Sequence, residues 1–159
     1  MSGLDRLGGW LRGGPAEPSE PGNVPGLVGR GSYRLGAGGK HPDAPDPFEE
    51  GKCDCSGFLA WCFALPRKSD EGVWFYTDQL EADARGEVRG DLGDGVAWDD
   101  RQPGDLIVYG AGPRVGHCGI LSGVDTVIHC QASTHPAVTE TGLMLFERKG
   151  AVVLRMRRP

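Results

Sequence analysis

Apolar positions are scattered thinly through the first thirty residues. Leu4, Leu7, Trp10 and Leu11 are spaced as on one face of a short helix, but Gly8 and Gly9 weaken it. Residues 1–30 are therefore expected to be a flexible or lightly structured lead-in to a single domain over 31–159. Residues 31–52 (GSYRLGAGGKHPDAPDPFEEGK) read as loop, because their glycines and prolines forbid a long regular element. The run CDCSGFLAWCFALP is different. Apolar residues lie on every side of a helix drawn through it, which predicts a buried helix ending by Pro66. Residues 73–85 (VWFYTDQLEADAR) read as a second helix. From Gly104 the pattern shortens to β-branched runs: GDLIVYG, HCGILSG and DTVIHCQAS, parted by Gly, Pro and Asp. These predict consecutive antiparallel strands, and GAVVLRMR one more. A buried helix followed by a meander of strands is an α+β layout with the helix packed on the sheet.

Charge narrows the partners. The net charge of −5 offers no basic footprint for nucleic acid or an anionic membrane, and the basic cluster is confined to Arg155, Arg157 and Arg158. No stretch approaches the roughly 18 apolar residues of a membrane span. The N-terminus lacks the apolar core of a signal peptide. The chain is thus expected to stay in the cytoplasm as synthesised, or to leave by a route that reads no N-terminal signal. Five cysteines, an odd number, argue against a fully paired disulfide framework and leave at least one thiol to explain. The acidic residues Asp43, Asp46, Glu49 and Glu50 follow no metal-loop spacing and read as a solvated turn-rich loop.

Cys55 is the first candidate for chemistry. It stands at the front of the buried helix, where unpaired N–H groups and the helix dipole favour a thiolate. Ser56 and Gly57 are small enough to let a substrate carbonyl approach, and the N–H of Cys55 would serve as an oxyanion donor. A buried structural cysteine is the alternative. His117 and His129 fall on neighbouring strands twelve residues apart in the chain. A hairpin near Ser122–Asp125 sets them side by side. If His117 faces the helix, Gly119 and Leu121 share its face while Cys118 and Ile120 face away. One histidine can take the Cys55 proton while the other bonds its far ring nitrogen and fixes its tautomer. Two satisfied core histidines are the alternative. A zinc site would draw on Cys53, Cys55, Cys62, His117, Cys118, His129 and Cys130, but no metal-knuckle spacing is present.

Four segments in order carry a resemblance: Asp54-Cys55-Ser56-Gly57-Phe58, Pro103-Gly104-Asp105-Leu106-Ile107, Gly116-His117-Cys118-Gly119-Ile120 and Val127-Ile128-His129. Together, over roughly residues 31–133, they resemble the NlpC-type cell-wall peptidases, a papain-like group of bacterial thiol hydrolases. The resemblance implies a nucleophile-bearing helix packed on a five- or six-stranded antiparallel sheet. It also implies Cys55 as nucleophile, His117 as base and His129 as the polar third member. The implied substrate is an amide in a peptidoglycan stem peptide or a related small peptide, with no cofactor. Tyr33 and Asp54 occupy places that, by resemblance, help hold a substrate amine, beside Ser56. Tyr33 is otherwise an ordinary half-buried loop residue. Two rival functions share these residues: a thiol amidase or acyltransferase on a non-wall amide, and a non-catalytic, zinc-stabilised binding protein.

Overall fold

A computed structural model describes residues 24–157 apart from 71, 73, 88–90, 111, 113 and 114. The amphipathic fragment Leu4–Leu11 lies outside the described residues. The later part of the expected lead-in is packed. Pro25–Leu27 forms a single 3-10 turn, and Val24 and Leu27 are buried in the main core. Beyond it the Gly29 N–H donates to the Val138 carbonyl, and the Val138 N–H donates to Arg30.

Two short parallel strands, β1 (Ser32–Tyr33) and β2 (Lys52–Cys53), lead into α1 (Cys55–Cys62). Asp54 caps α1 from an extended backbone, its carboxylate accepting the Gly57 N–H. Every residue of α1 is buried, as its all-round apolar pattern predicts. The chain leaves the helix through Phe63 and a left-handed Ala64, two residues before Pro66. The second helix, α2 (Thr77–Ala84), is shorter than the expected 73–85. Trp74 instead makes a β-bridge with Lys68, and the Phe75 N–H donates to the Arg67 carbonyl. The aromatic residues ahead of α2 therefore form an extended segment with Phe75 inward and Trp74 and Tyr76 exposed.

The remaining strands are β3 (Gly93–Val96), β4 (Leu106–Tyr109), β5 (His117–Leu121), β6 (Thr126–Cys130), β7 (Val138–Gly142) and β8 (Val152–Met156). They form one six-stranded sheet in the order β3-β8-β4-β5-β6-β7, antiparallel at every joint. The short helix α3 (Met144–Glu147) joins β7 to β8. The architecture is α+β with α1 against an antiparallel sheet. Strands β3 and β7 were not expected from the sequence. Both are edge strands, and neither GDGV nor the polar VTETG carries an apolar alternation.

The sheet is covered on both faces. Phe58, Leu59 and Trp61 of α1 pack on Leu106, Val108, Cys118, Ile120, Ile128 and Leu154. On the other face Ile107, Leu121 and Val127 meet Leu143 and Phe146. Full burial of each such side chain stabilises the fold by about 1.5–3 kcal/mol. This two-sided core reverses one expectation. Cys118 and Ile120 look toward α1, while the face shared by His117, Gly119 and Leu121 looks toward α3. Alternation shows which residues share a face. It cannot show which face meets the helix when both are apolar.

Candidate active site

Cys55 begins α1 and is 5% exposed, opening onto a cleft of about 930 Å³. Tyr33, Asp54, Ser56, Arg67, Trp74 and Tyr76 are among the residues around it. The cysteine is fixed from behind by an ion pair the sequence did not disclose. Asp54 Oδ2 accepts from Arg67 Nη2 at 2.6 Å and from the Gly36 N–H at 2.7 Å. Its Oδ1 accepts from the Gly57 N–H at 2.7 Å and from Ser56 Oγ at 3.3 Å. Arg67 also donates to the carbonyls of Ala37 at 2.9 Å and Gly38 at 3.1 Å, and to Ser56 Oγ at 3.1 Å.

The Asp54 carboxylate therefore already holds four donors, about its full capacity. It ties the helix start to the 36–39 loop and to the segment after Pro66. Gly57 is required by this crowding: a Cβ there would stand 2.5 Å from Arg67 Nη1 and 2.7 Å from the Gly38 carbonyl oxygen.

On the other side of the thiol, the structure joins the two histidines. His117 Nε2 lies 2.7 Å from His129 Nδ1, and His129 Nε2 lies 2.8 Å from Thr141 Oγ1. His117 also acts on the Cys55 thiol, lowering it through hydrogen bonding and charge. With Nε2 engaged by His129, Nδ1 is the His117 nitrogen left for the thiol. The result is a hydrogen-bonded chain from His117 through His129 to Thr141, beside Cys55. Thr141 belongs to β7, a polar strand with no apolar alternation to mark it.

The ring of Phe146 stacks on His117 with centroids 5.5 Å apart and meets His129 edge-on at 5.3 Å. Gly119 lies between the histidines on the same face. A Cβ at Gly119 would come within 3.1 Å of His129 Cβ and 2.4 Å of Val127 Cγ1. The bare backbone is what lets the two rings approach.

The electrostatics follow from these contacts. A hydrogen bond from Cys118 and then the hydrogen bond and charge of His117 bring the Cys55 thiol down to about 5, against burial, which opposes ionisation. Burial, reinforced by the neighbouring His117, lowers His129 to about 3, so it stays neutral near pH 7. A neutral His129 that accepts from His117 at Nδ1 carries its proton on Nε2, donated to Thr141. Burial is the main cause of the rise in Tyr33, which remains a neutral phenol at the cleft wall.

Cys118 and Cys130 point to α1, whereas His117 and His129 lie on the opposite face. Among the described residues, no three His, Cys, Asp or Glu side chains are grouped to hold a metal ion. No helix among them is long and apolar enough to cross a membrane.

No curated protein sequence matches the chain. The profile of the NlpC/P60 family matches residues 29–144, a span that contains the capped helix, the cleft tyrosine and both histidine strands. By that match the chain belongs to the NlpC/P60 family.

Proposed function

We propose that the protein is a cysteine hydrolase that cleaves amide bonds in the peptide stems of peptidoglycan. The supporting observation is the hydrogen-bonded chain His117–His129–Thr141 beside Cys55, whose helix start opens on a cleft. The family, whose members are in general cysteine peptidases, supports the same reaction class.

In the reaction, the Cys55 thiolate attacks the scissile carbonyl carbon and forms a C–S bond while the carbonyl π pair moves onto oxygen. The cap has engaged the Gly57 N–H, and the Phe58 N–H is bonded to the Asp54 carbonyl. The Cys55 N–H remains as oxyanion donor at the first turn. His117, protonated at Nδ1, gives that proton to the leaving nitrogen as the C–N bond breaks. A water then attacks the thioester, His117 takes its proton, and the thiolate leaves. His129 holds the His117 ring and stabilises its charged form through Nδ1.

Asp54 and Ser56 are already hydrogen-bonded within the protein, so their contribution is to fix the helix start. The neutral Tyr33 phenol is the group at this wall best suited to bond a substrate's polar atoms.

Purified cell-wall sacculi, incubated with the protein and with Cys55→Ala, test the reading by mass spectrometry of released fragments. Fragments cut within the stem only by the wild type are expected. Absence of release, despite a readily alkylated Cys55, would move the substrate to soluble amides. On whichever substrate is cut, His129→Ala should lower kcat by a factor on the order of 10² while leaving KM nearly unchanged. An unaltered kcat would remove His129 from the mechanism.

A further inference from the structure

Phe146 is fully buried, and three of the side chains around it are rings at or beside the candidate centre. Its plane lies 25° from that of His117, with centroids 5.5 Å apart. It meets His129 at 5.3 Å and 76°, and Tyr109 at 5.9 Å and 61°. The two imidazoles stand at 70° to each other with centroids 4.9 Å apart. Offset-stacked and edge-to-face arrangements of this kind are the favoured geometries of ring pairs. One ring thus flanks both members of the His117–His129 hydrogen bond, near-parallel to the donor and edge-on to the acceptor. We propose that Phe146 is a positioning residue of this centre: its face holds the His117 ring in the orientation that bonds His129, and it seals that bond from water. The inference rests on the assignment of His117 as the base.

The His117 ring needs such a hold. Rotation about the Cβ–Cγ bond of a histidine is soft and roughly two-fold. A half-turn would exchange Nε2 with Cε1 and Nδ1 with Cδ2, which removes the bond to His129 and turns a carbon toward Cys55. Intermediate rotations would drive the ring edge into the Phe146 face. His129 is fixed at both nitrogens, by His117 at 2.7 Å and by Thr141 at 2.8 Å. His117 is half-buried at the first position of β5, and its other nitrogen is the one that must exchange protons during turnover. Its strand partner Tyr109 tilts against it at 6.0 Å and 52°, an oblique contact. The near-parallel face belongs to Phe146.

Phe146 is itself tied to the histidine strands. The Leu143 N–H donates to the Asp125 carbonyl in the turn between β5 and β6, and the Phe146 N–H donates to the Leu143 carbonyl. The Phe146 carbonyl accepts from the Ala151 N–H ahead of β8. The turn that sets the histidines side by side therefore also anchors the helix whose ring covers them. Keeping water from His117 Nε2 strengthens the bond, since water would compete for the same proton.

The test uses Phe146→Leu and Phe146→Met, which keep most of the apolar volume but offer no flat face. Each variant's amide NMR spectrum reports that it is folded. With isotope-labelled histidines, the wild-type His117 Nε2–H should appear as a downfield resonance that exchanges slowly with water. Both variants should speed that exchange by about tenfold, the equivalent of one lost ring contact. On a substrate the wild type cuts, kcat should fall by about tenfold with KM nearly unchanged. In a His129→Ala background the same change should have little further effect, because the bond it protects is gone. A merely structural role would lower the unfolding midpoint and leave exchange and kcat at wild-type values. Wild-type exchange as fast as in free imidazole, or exchange unchanged in both variants, would overturn the proposal. So would an equal loss of kcat with and without His129. Protection lost in the variants of a protein that cuts no amide would support the role of the ring and overturn the hydrolase reading instead, since exchange needs no substrate.

Discussion

Cys55→Ala is expected to remove turnover, with a fall in kcat on the order of 10⁶, and to leave the fold intact. The loss is large because, in the proposed reaction, the sulfur is the atom that bonds to the substrate carbonyl carbon. Without it, His117 can at most activate a water, and that water has no counterpart to the fixed position of a side chain on a capped helix. At acid pH the effect on stability should be small, within about 1 kcal/mol, because alanine preserves the helix and the truncation removes little apolar volume. The thiolate adds a pH term. Its depressed folded value means that ionisation stabilises the native state fully above the unfolded thiol value of about 8.5. That contribution declines as pH falls and is gone below about 5. Wild type and Cys55→Ala should therefore converge in stability at acid pH and diverge toward alkaline pH. Turnover in the alanine variant above a hundredth of the wild-type rate would remove Cys55 as nucleophile.

Arg67→Ala should be among the most destabilising single changes in the protein, costing about 3–5 kcal/mol. Both partners are almost wholly inside, with side chains 7% and 2% exposed for Arg67 and Asp54. Truncating the arginine leaves a buried carboxylate without its counter-charge. It also strips the donor from two loop carbonyls and from Ser56. These losses share one network and will not add independently. Against a domain stability of about 5–15 kcal/mol the cost is a large fraction. Urea denaturation should show a lower midpoint with an unchanged slope. Arg67→Lys should recover only part of it, since an ammonium keeps the charge but cannot span Asp54, Ser56 and two carbonyls at once. A variant within about 1 kcal/mol of wild type would show that the pair contributes little.

Cys55 at a helix start and His117 beside His129 were legible because residue type and local pattern agree. A cysteine at the head of an all-apolar run marks a buried helix start, and histidines in two β-branched runs twelve residues apart imply neighbouring strands. The face they occupy was not legible. Cys118 and His117 alternate correctly, but Leu121 and Val127 on one side look as apolar as Ile120 and Ile128 on the other. Leu143 and Phe146, at a four-residue helix, reveal that both sides are covered. Arg67 was hidden for another reason. Its partners include the backbone carbonyls of Ala37 and Gly38, and a backbone acceptor leaves no mark in the sequence. Thr141 stands in a polar edge strand whose position is set by pairing with β6 rather than by its own pattern.

The place of β8 has a consequence for how a ribosome-bound chain acquires this centre. Among the described strands Val152–Met156 is made after the others, yet it sits between β3 and β4. Until it emerges, Leu106–Val108 of β4 presents unpaired N–H and C=O groups along one edge, although β5 and β6 with both histidines are already synthesised. Such an edge invites pairing with other chains. Synthesis therefore passes through an interval in which Cys55, His117 and His129 exist but the sheet beside them is open. Premature termination before Val152 would leave a self-associating chain rather than a slower enzyme.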